Sequence, residues 1–168
     1  MTVHLAWSRM CLKDTMVSYL TLGTIFAYGQ TGCGKTHTMM GVPSSDETKG
    51  IIPKAFKHIF GFIDESGGED KKFLVRCSYL EIYNENVLDL LGKDHDKNHD
   101  IKEDPDKGIY VKGLTMVVVK NMDEIEVQMN LGLSMRKTGE TKMNKDSSRS
   151  HSIFTVFVEM SEDDGAGG

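Results

Sequence analysis

Cysteine is scarce: the 168 residues hold three, Cys11, Cys33 and Cys77, far apart and with no CxxC pair. That excludes a disulfide framework and a cysteine-based zinc site, and it is the usage of a reduced, intracellular chain. Long hydrophobic runs are missing too. The longest weakly charged stretch, Thr15 to Gln30, is shorter than the ~20 residues needed to span a bilayer. The first residues have neither the apolar centre nor the small-residue cleavage site of a signal peptide. There is no basic block: 20 Lys and Arg stand against 25 Asp and Glu, for a net charge of −5. The acidic excess lies in the second half, and nothing in the charge pattern suits nucleic acid. Repeats are absent. The expectation is one soluble, cytosolic domain with no membrane insertion and no nucleic-acid partner.

What is present has a clear order. Thr24 to Tyr28 is a short β-branched and aromatic run ending at Gly29, which reads as a buried and parallel strand. Lys35 to Met40 can open a helix, and Pro43 to Lys49 is a polar loop. Ile51 to Ile63 carries Ile52, Ala55, Phe56, Ile59, Phe60 and Ile63 on one helical stripe, with Pro53 tolerated in the first turn. Phe73 to Tyr83 predicts a long strand whose Arg76 and Glu81 make one face partly wet. Lys93 to Lys107 is a charged loop. Its His95 and His99 stand among Asp94, Asp96 and Asp100 but have no fixed scaffold for a metal. Two strands, Ile109–Lys112 and Leu114–Lys120, pivot on Gly113. Asp123 is placed to cap a helix reaching about Lys137, and Ser152 to Glu159 is a last strand before an acidic, Gly-rich tail. Strands and helices interleave, so the fold class is α/β.

Gly29-Gln30-Thr31-Gly32-Cys33-Gly34-Lys35-Thr36 fits G-x-x-x-x-G-K-[ST]. Glycines without Cβ let the backbone wrap a phosphate and turn its N–H groups inward. The helix that follows points its positive end at the same anion. Lys35 supplies a point charge for the β- and γ-phosphates, and Thr36 a hydroxyl for Mg²⁺. Cys33, near the helix start where a thiolate would be stabilised, reads as a small neutral filler. Further on, Asn144-Lys-Asp-Ser147-Ser148-Arg149-Ser150-His151 is dense in hydroxyls beside a strand. Such a loop can bond its own backbone. After a phosphate loop, it can also sense the γ-phosphate, ligate Mg²⁺ and form a switchable ion pair.

At these residues the sequence resembles the kinesin motor family. The string Gly23-Thr-Ile-Phe-Ala-Tyr-Gly-Gln-Thr-Gly-Cys-Gly-Lys-Thr-His-Thr-Met39 and the segment Asn144 to His151 carry the resemblance. So do Gly50-Ile-Ile-Pro53, Ser78-Tyr-Leu-Glu-Ile-Tyr-Asn84, Asp89-Leu-Leu91 and Tyr110-Val-Lys-Gly-Leu114. The details look most like the plus-end-directed class of intraflagellar transport, in its homodimeric branch. The resemblance implies a P-loop NTPase-type central sheet flanked by helices, an incomplete motor domain over 23–160. It implies ATP on Gly29, Gln30, Thr31, Gly32, Cys33, Gly34, Lys35 and Thr36, with His37 beside the adenine. Asn144, Ser147, Ser148 and Arg149 would be the catalytic switch I, with Thr36 and Ser147 as the ligands of Mg²⁺. Microtubules would be the partner, with Lys102 and Lys107 as contacts to acidic tubulin, and the cytoplasm, cytoskeleton and cilium the location. The Lys93–Lys107 region reads equally as a solvated hairpin tip, since it carries more acid than base.

The pattern of the family is incomplete here. Residues 1–22 match none of it, and residues 161–168 form the acidic tail. Asp164-Gly-Ala-Gly167 has the spacing of switch II without its strand or glutamate. The expectation is therefore an ATP-binding motor fragment that lacks switch II, hydrolyses little and carries no dimerisation region. A non-hydrolysing nucleotide- or tubulin-binding module and a truncated product without function stay open. Missing strands would also leave sheet edges unpaired and the apolar face of Phe56 and Phe60 uncovered.

Overall fold

Alternating apolar residues in two long stretches set the architecture. In the computed structural model, which describes residues 2–4, 24–28, 30, 32–42, 45–68, 71–105, 108–138 and 150–162, the elements follow one another from β1 (Thr2–His4) and β2 (Thr24–Phe26) to α1 (Lys35–Met40) and α2 (Ile51–Ser66). Then come β3 (Lys71–Tyr83), β4 (Asn86–Asp89), β5 (Ile101–Asp104), β6 (Gly108–Val111), β7 (Val117–Val119), α3 (Met122–Thr138) and β8 (Ser150–Glu162). β3 and β8 pair antiparallel along their full length, from Lys71 opposite Glu162 to Tyr83 opposite Ser150. The other edge of β3 is shared by β7 along Val75–Cys77 and β4 along Leu80–Tyr83. No helix among the described residues is long and apolar enough to cross a membrane.

Three directly opposed pairs, Val75 with Val158, Cys77 with Val156 and Tyr79 with Phe154, are buried on one face of this sheet. α2 covers that face with Ile52, Phe56, Ile59 and Phe60, as its stripe predicts, and α3 adds Ile125 and Met129. The Phe154 ring lies 5.7 Å from Phe56 and 5.1 Å from Tyr79, edge-on to the latter. Each such side chain contributes about 1.5–3 kcal/mol by leaving water. Phe56 and Phe60 are therefore covered, against the expectation: both are buried in the core, and Phe154 of β8 lies against Phe56.

Four further readings need correction. The neighbour of β2 among the described residues is β1, and the pair is antiparallel, with Thr2 opposite Phe26. β1 also lies beside β8. Three residues are too few to show a strand period, so the partner was invisible in the pattern. Of the two charges on β3, Arg76 pairs with Glu159 on the half-exposed face it shares with Leu74, as expected, whereas Glu81 is buried against Arg136 and makes no wet surface. The cap of α3 is Asn121 rather than Asp123. Asn121 Oδ1 accepts the Glu124 N–H at 2.9 Å, while Glu124 Oε2 accepts the Lys120 N–H at 2.8 Å. Finally, the Lys93–Lys107 stretch contains a strand, β5, paired with β6 in a hairpin.

Glycine punctuates the helical pair. α1 stops at Gly41 (φ 72°), and Gly50, just ahead of α2, donates its N–H to Met40 O at 3.1 Å. Val42 N–H donates to Thr48 O at 2.9 Å, so the polar loop between the helices returns to its starting point. A Cβ on Gly41 would stand 2.2 Å from the Gly50 nitrogen, and one on Gly50 2.4 Å from Met39 O. Only glycine fits at either place.

Candidate functional site

The phosphate-loop residues lie between the end of β2 and the start of α1. Gly32 (φ 84°) and Gly34 (φ 89°) both adopt the left-handed conformation that L side chains resist, which explains two of the motif's glycines. The space above both is open: a Cβ at either would touch nothing. Gln30 O accepts two donors, the Cys33 N–H at 3.3 Å and the Lys35 ammonium at 2.7 Å. The ammonium also lies 3.9 Å from Cys33 Sγ. Lys35 thus bends back across the turn it follows. Thr38 ties into the same turn through its N–H and hydroxyl, both directed at Gly34 O. Thr36 and His37 are exposed. A cleft of about 230 Å³ opens here, lined by Ala27, Tyr28, Cys33, Lys35, Thr38 and Met39.

Of the residues expected to hold the nucleotide, Cys33 and Lys35 line this cleft, while Gln30, Gly32, Gly34, Thr36 and His37 are exposed neighbours along the same turn and helix. Gly29 and Thr31, and the switch residues Asn144, Ser147, Ser148 and Arg149, lie outside the described residues, as does Lys107. Lys102 sits on β5, exposed, with Asp100 3.8 Å away. The two histidines serve the backbone: His95 Nδ1 meets Asp89 O at 3.2 Å and His99 Nδ1 meets Lys112 O at 3.1 Å. A carbonyl can only accept, so Nδ1 carries the proton in both. Among the described residues no group of three His, Cys, Asp or Glu is arranged to hold a metal.

A polar cluster that sequence reasoning missed joins α3, β3 and β8. Arg136, at the end of α3, donates through Nε to Glu81 Oε1 at 2.8 Å. Its Nη1 donates to Ser152 Oγ at 3.2 Å and its Nη2 to Ser150 Oγ at 2.6 Å. Tyr79 closes the group: burial raises its phenol pKa, and a hydrogen bond with Ser152 acts in the other direction. Glu81 and Arg136 are 55 positions apart, so no local spacing could have shown the pair.

The site has relatives of known kind. The family model for the kinesin motor domain matches residues 11–167. The kinesin-like protein KIF3C of Mus musculus is 53% identical over 140 residues, 83% of this chain and 17% of the relative. The same values hold for KIF3C of Rattus norvegicus. Among solved structures, a fast kinesin studied for its ATPase mechanism and interactions with microtubules superposes with a TM-score of 0.68 at 35% identity. That match covers 85% of this chain and 46% of the other. The chain thus spans under a fifth of the length of the curated relatives and about half of the solved motor. With its glycine-built turn, helix-opening lysine and matching sheet, this chain belongs to the kinesin motor-domain family.

Proposed function

We propose that the chain holds Mg·ATP at residues 29–36 and is the nucleotide-binding part of a kinesin motor acting on microtubules. One observation carries the reading: Lys35 reaches back 2.7 Å to the Gln30 carbonyl across a turn opened by two left-handed glycines. An ammonium in that position meets an anion seated on the turn without moving its backbone. Gly32 and Gly34 would bring their N–H groups to the phosphates, and the exposed Thr36 hydroxyl would face the metal. Mg²⁺ supplies neutralisation of the β- and γ-oxygens when it is bound there. Ser147 would be its second ligand, and Asn144, Ser148 and Arg149 would respond to the γ-phosphate as switch I. His37 would lie against the base.

Movement along microtubules, in the cytoplasm and on the cytoskeleton, belongs to this proposal, as does membership of the intraflagellar-transport class. Lys102, with Lys107, would contribute to the tubulin contact. Fluorescent ATP titrated onto the 168-residue protein tests the nucleotide site. Lys35→Ala should weaken binding by at least about tenfold, the worth of one charge-assisted contact. Unchanged affinity would remove the assignment.

A further inference from the structure

We propose that β1, Thr2–His4, is a positioning strand for the nucleotide cleft: its backbone holds β2, and β2 delivers the residues that open the cleft. The inference rests on the phosphate-loop reading above. It extends that reading to a part of the chain outside the family match, which begins at residue 11. β2 is three residues long and needs a paired neighbour to stay extended. Among the described residues that neighbour is β1, antiparallel, with Thr2 opposite Phe26, Val3 opposite Ile25 and His4 opposite Thr24. A two-stranded ribbon is itself marginal in water. β1 answers this as well, because it lies beside β8, the long strand of the core sheet.

The register ends where the cleft begins. Thr2 stands opposite Phe26, and Ala27 and Tyr28 follow at once, lining the cleft with Cys33 and Lys35. Ala27 packs on the core, as does the fully buried Met39 on the far side of the same cleft. Tyr28, by contrast, is 93% exposed, so the core does not fix it. The direction in which the chain leaves Phe26 is then set by the ladder with β1. That direction governs where Tyr28 lies, and where the Gln30 carbonyl stands to receive the Lys35 ammonium at 2.7 Å.

The test measures two things on the whole chain: affinity for fluorescent ATP, and amide exchange along β2 and β8. In an antiparallel pair only one of two successive residues turns its N–H to the partner. Proline has no N–H to donate, so Val3→Pro and His4→Pro together cover both cases. The variant that cuts the ladder should speed exchange along Thr24–Phe26 and weaken ATP binding about tenfold, the worth of roughly one hydrogen bond. Exchange at Phe154 and Val156, inside the β3–β8 ladder, should stay slow. Val3→Ile keeps a strand-forming residue and should bind ATP as wild type does. Wild-type affinity in both proline variants would overturn the proposal, and so would unchanged exchange along β2. A loss of affinity with faster exchange at Phe154 and Val156 would make β1 a general fold contact and overturn it too. Should Lys35→Ala leave binding unchanged, the phosphate-loop reading itself is at fault, and this inference falls with it.

Discussion

Gly132 faces the ring of Tyr79 so closely that a Cβ added to it would stand 2.2 Å from Cδ1. α3 meets β3 through this glycine, and Tyr79 in turn packs edge-on against Phe154 of β8. The absence of one methyl group sets how near the helix lies to the sheet.

Gly132→Ala should accordingly lower unfolding stability by about 1–3 kcal/mol, the usual cost of overpacking a filled interior. Chemical denaturation measures it. The loss should shrink in a Tyr79→Leu background, because the clash is with the ring. Equal losses in both backgrounds would show that the ring is not what the added methyl meets; helix propensity by itself would favour the alanine.

Asp89 is buried, and its carboxylate accepts three backbone N–H groups: Leu91 and Gly92 at 3.0 Å on Oδ1, Thr115 at 2.7 Å on Oδ2. It stitches the end of β4 to the chain entering β7. Asp89→Ala leaves these donors without an acceptor and should cost about 3 kcal/mol; Asp89→Asn keeps one oxygen and should cost less. Hydrogen exchange at Leu91, Gly92 and Thr115 should accelerate in step. Unaltered exchange there would refute the stitch.

Two cysteines should differ sharply in reactivity. Cys33 is exposed in the phosphate loop, whereas Cys77 is fully buried and its thiol pKa is pushed up to about 11 by burial. At pH 8 iodoacetamide should modify Cys33 within the time that leaves Cys77 untouched, since the thiolate is the nucleophile. Peptide mapping reads both sites at once. Modification of Cys77 before denaturant is added would contradict its burial.

The loop between α1 and α2 has an acid-sensitive contact. Asp46 accepts from Lys49 at 3.0 Å and Lys57 at 3.1 Å, and those bonds, Lys49 first, hold its carboxyl below the usual aspartate range. A pKa depressed on folding means that the contact adds stability above the unfolded value and loses it as pH falls through the folded one. Proton titration of Asp46 followed by NMR should therefore show a low midpoint. Lys49→Ala should move that midpoint up, and by more than Lys57→Ala.

Legibility of the sequence followed from how local each cause was. The α2 stripe Ile52, Phe56, Ile59 and Phe60 repeats at helical spacing and needs no partner to be seen. The turn ahead of α1 announces itself because Gly32 and Gly34 stand at fixed intervals before Lys35, each at a positive φ that glycine alone adopts freely. β4 stayed hidden: it is four residues long and enters through Asn84 and Glu85, both at positive φ without a glycine to mark the turn. β5 was equally hidden, since its residues Ile101 to Glu103 are exposed and show no alternation. Arg76 and Glu81 looked like solvated charges because their partners, Glu159 and Arg136, come from elements far along the chain. Charge alone never tells whether it is paired.

The touching backbones of Gly41 and Gly50 make the segment between them a bracket whose two ends are already joined. Doubling such a segment costs only about 0.6 kcal/mol in closure entropy, because that cost grows with the logarithm of loop length. New residues inserted there would lengthen the protrusion without displacing the turn that precedes α1 or the stripe of α2. The bracket is thus a place where this domain can acquire fresh surface at almost no expense to its core.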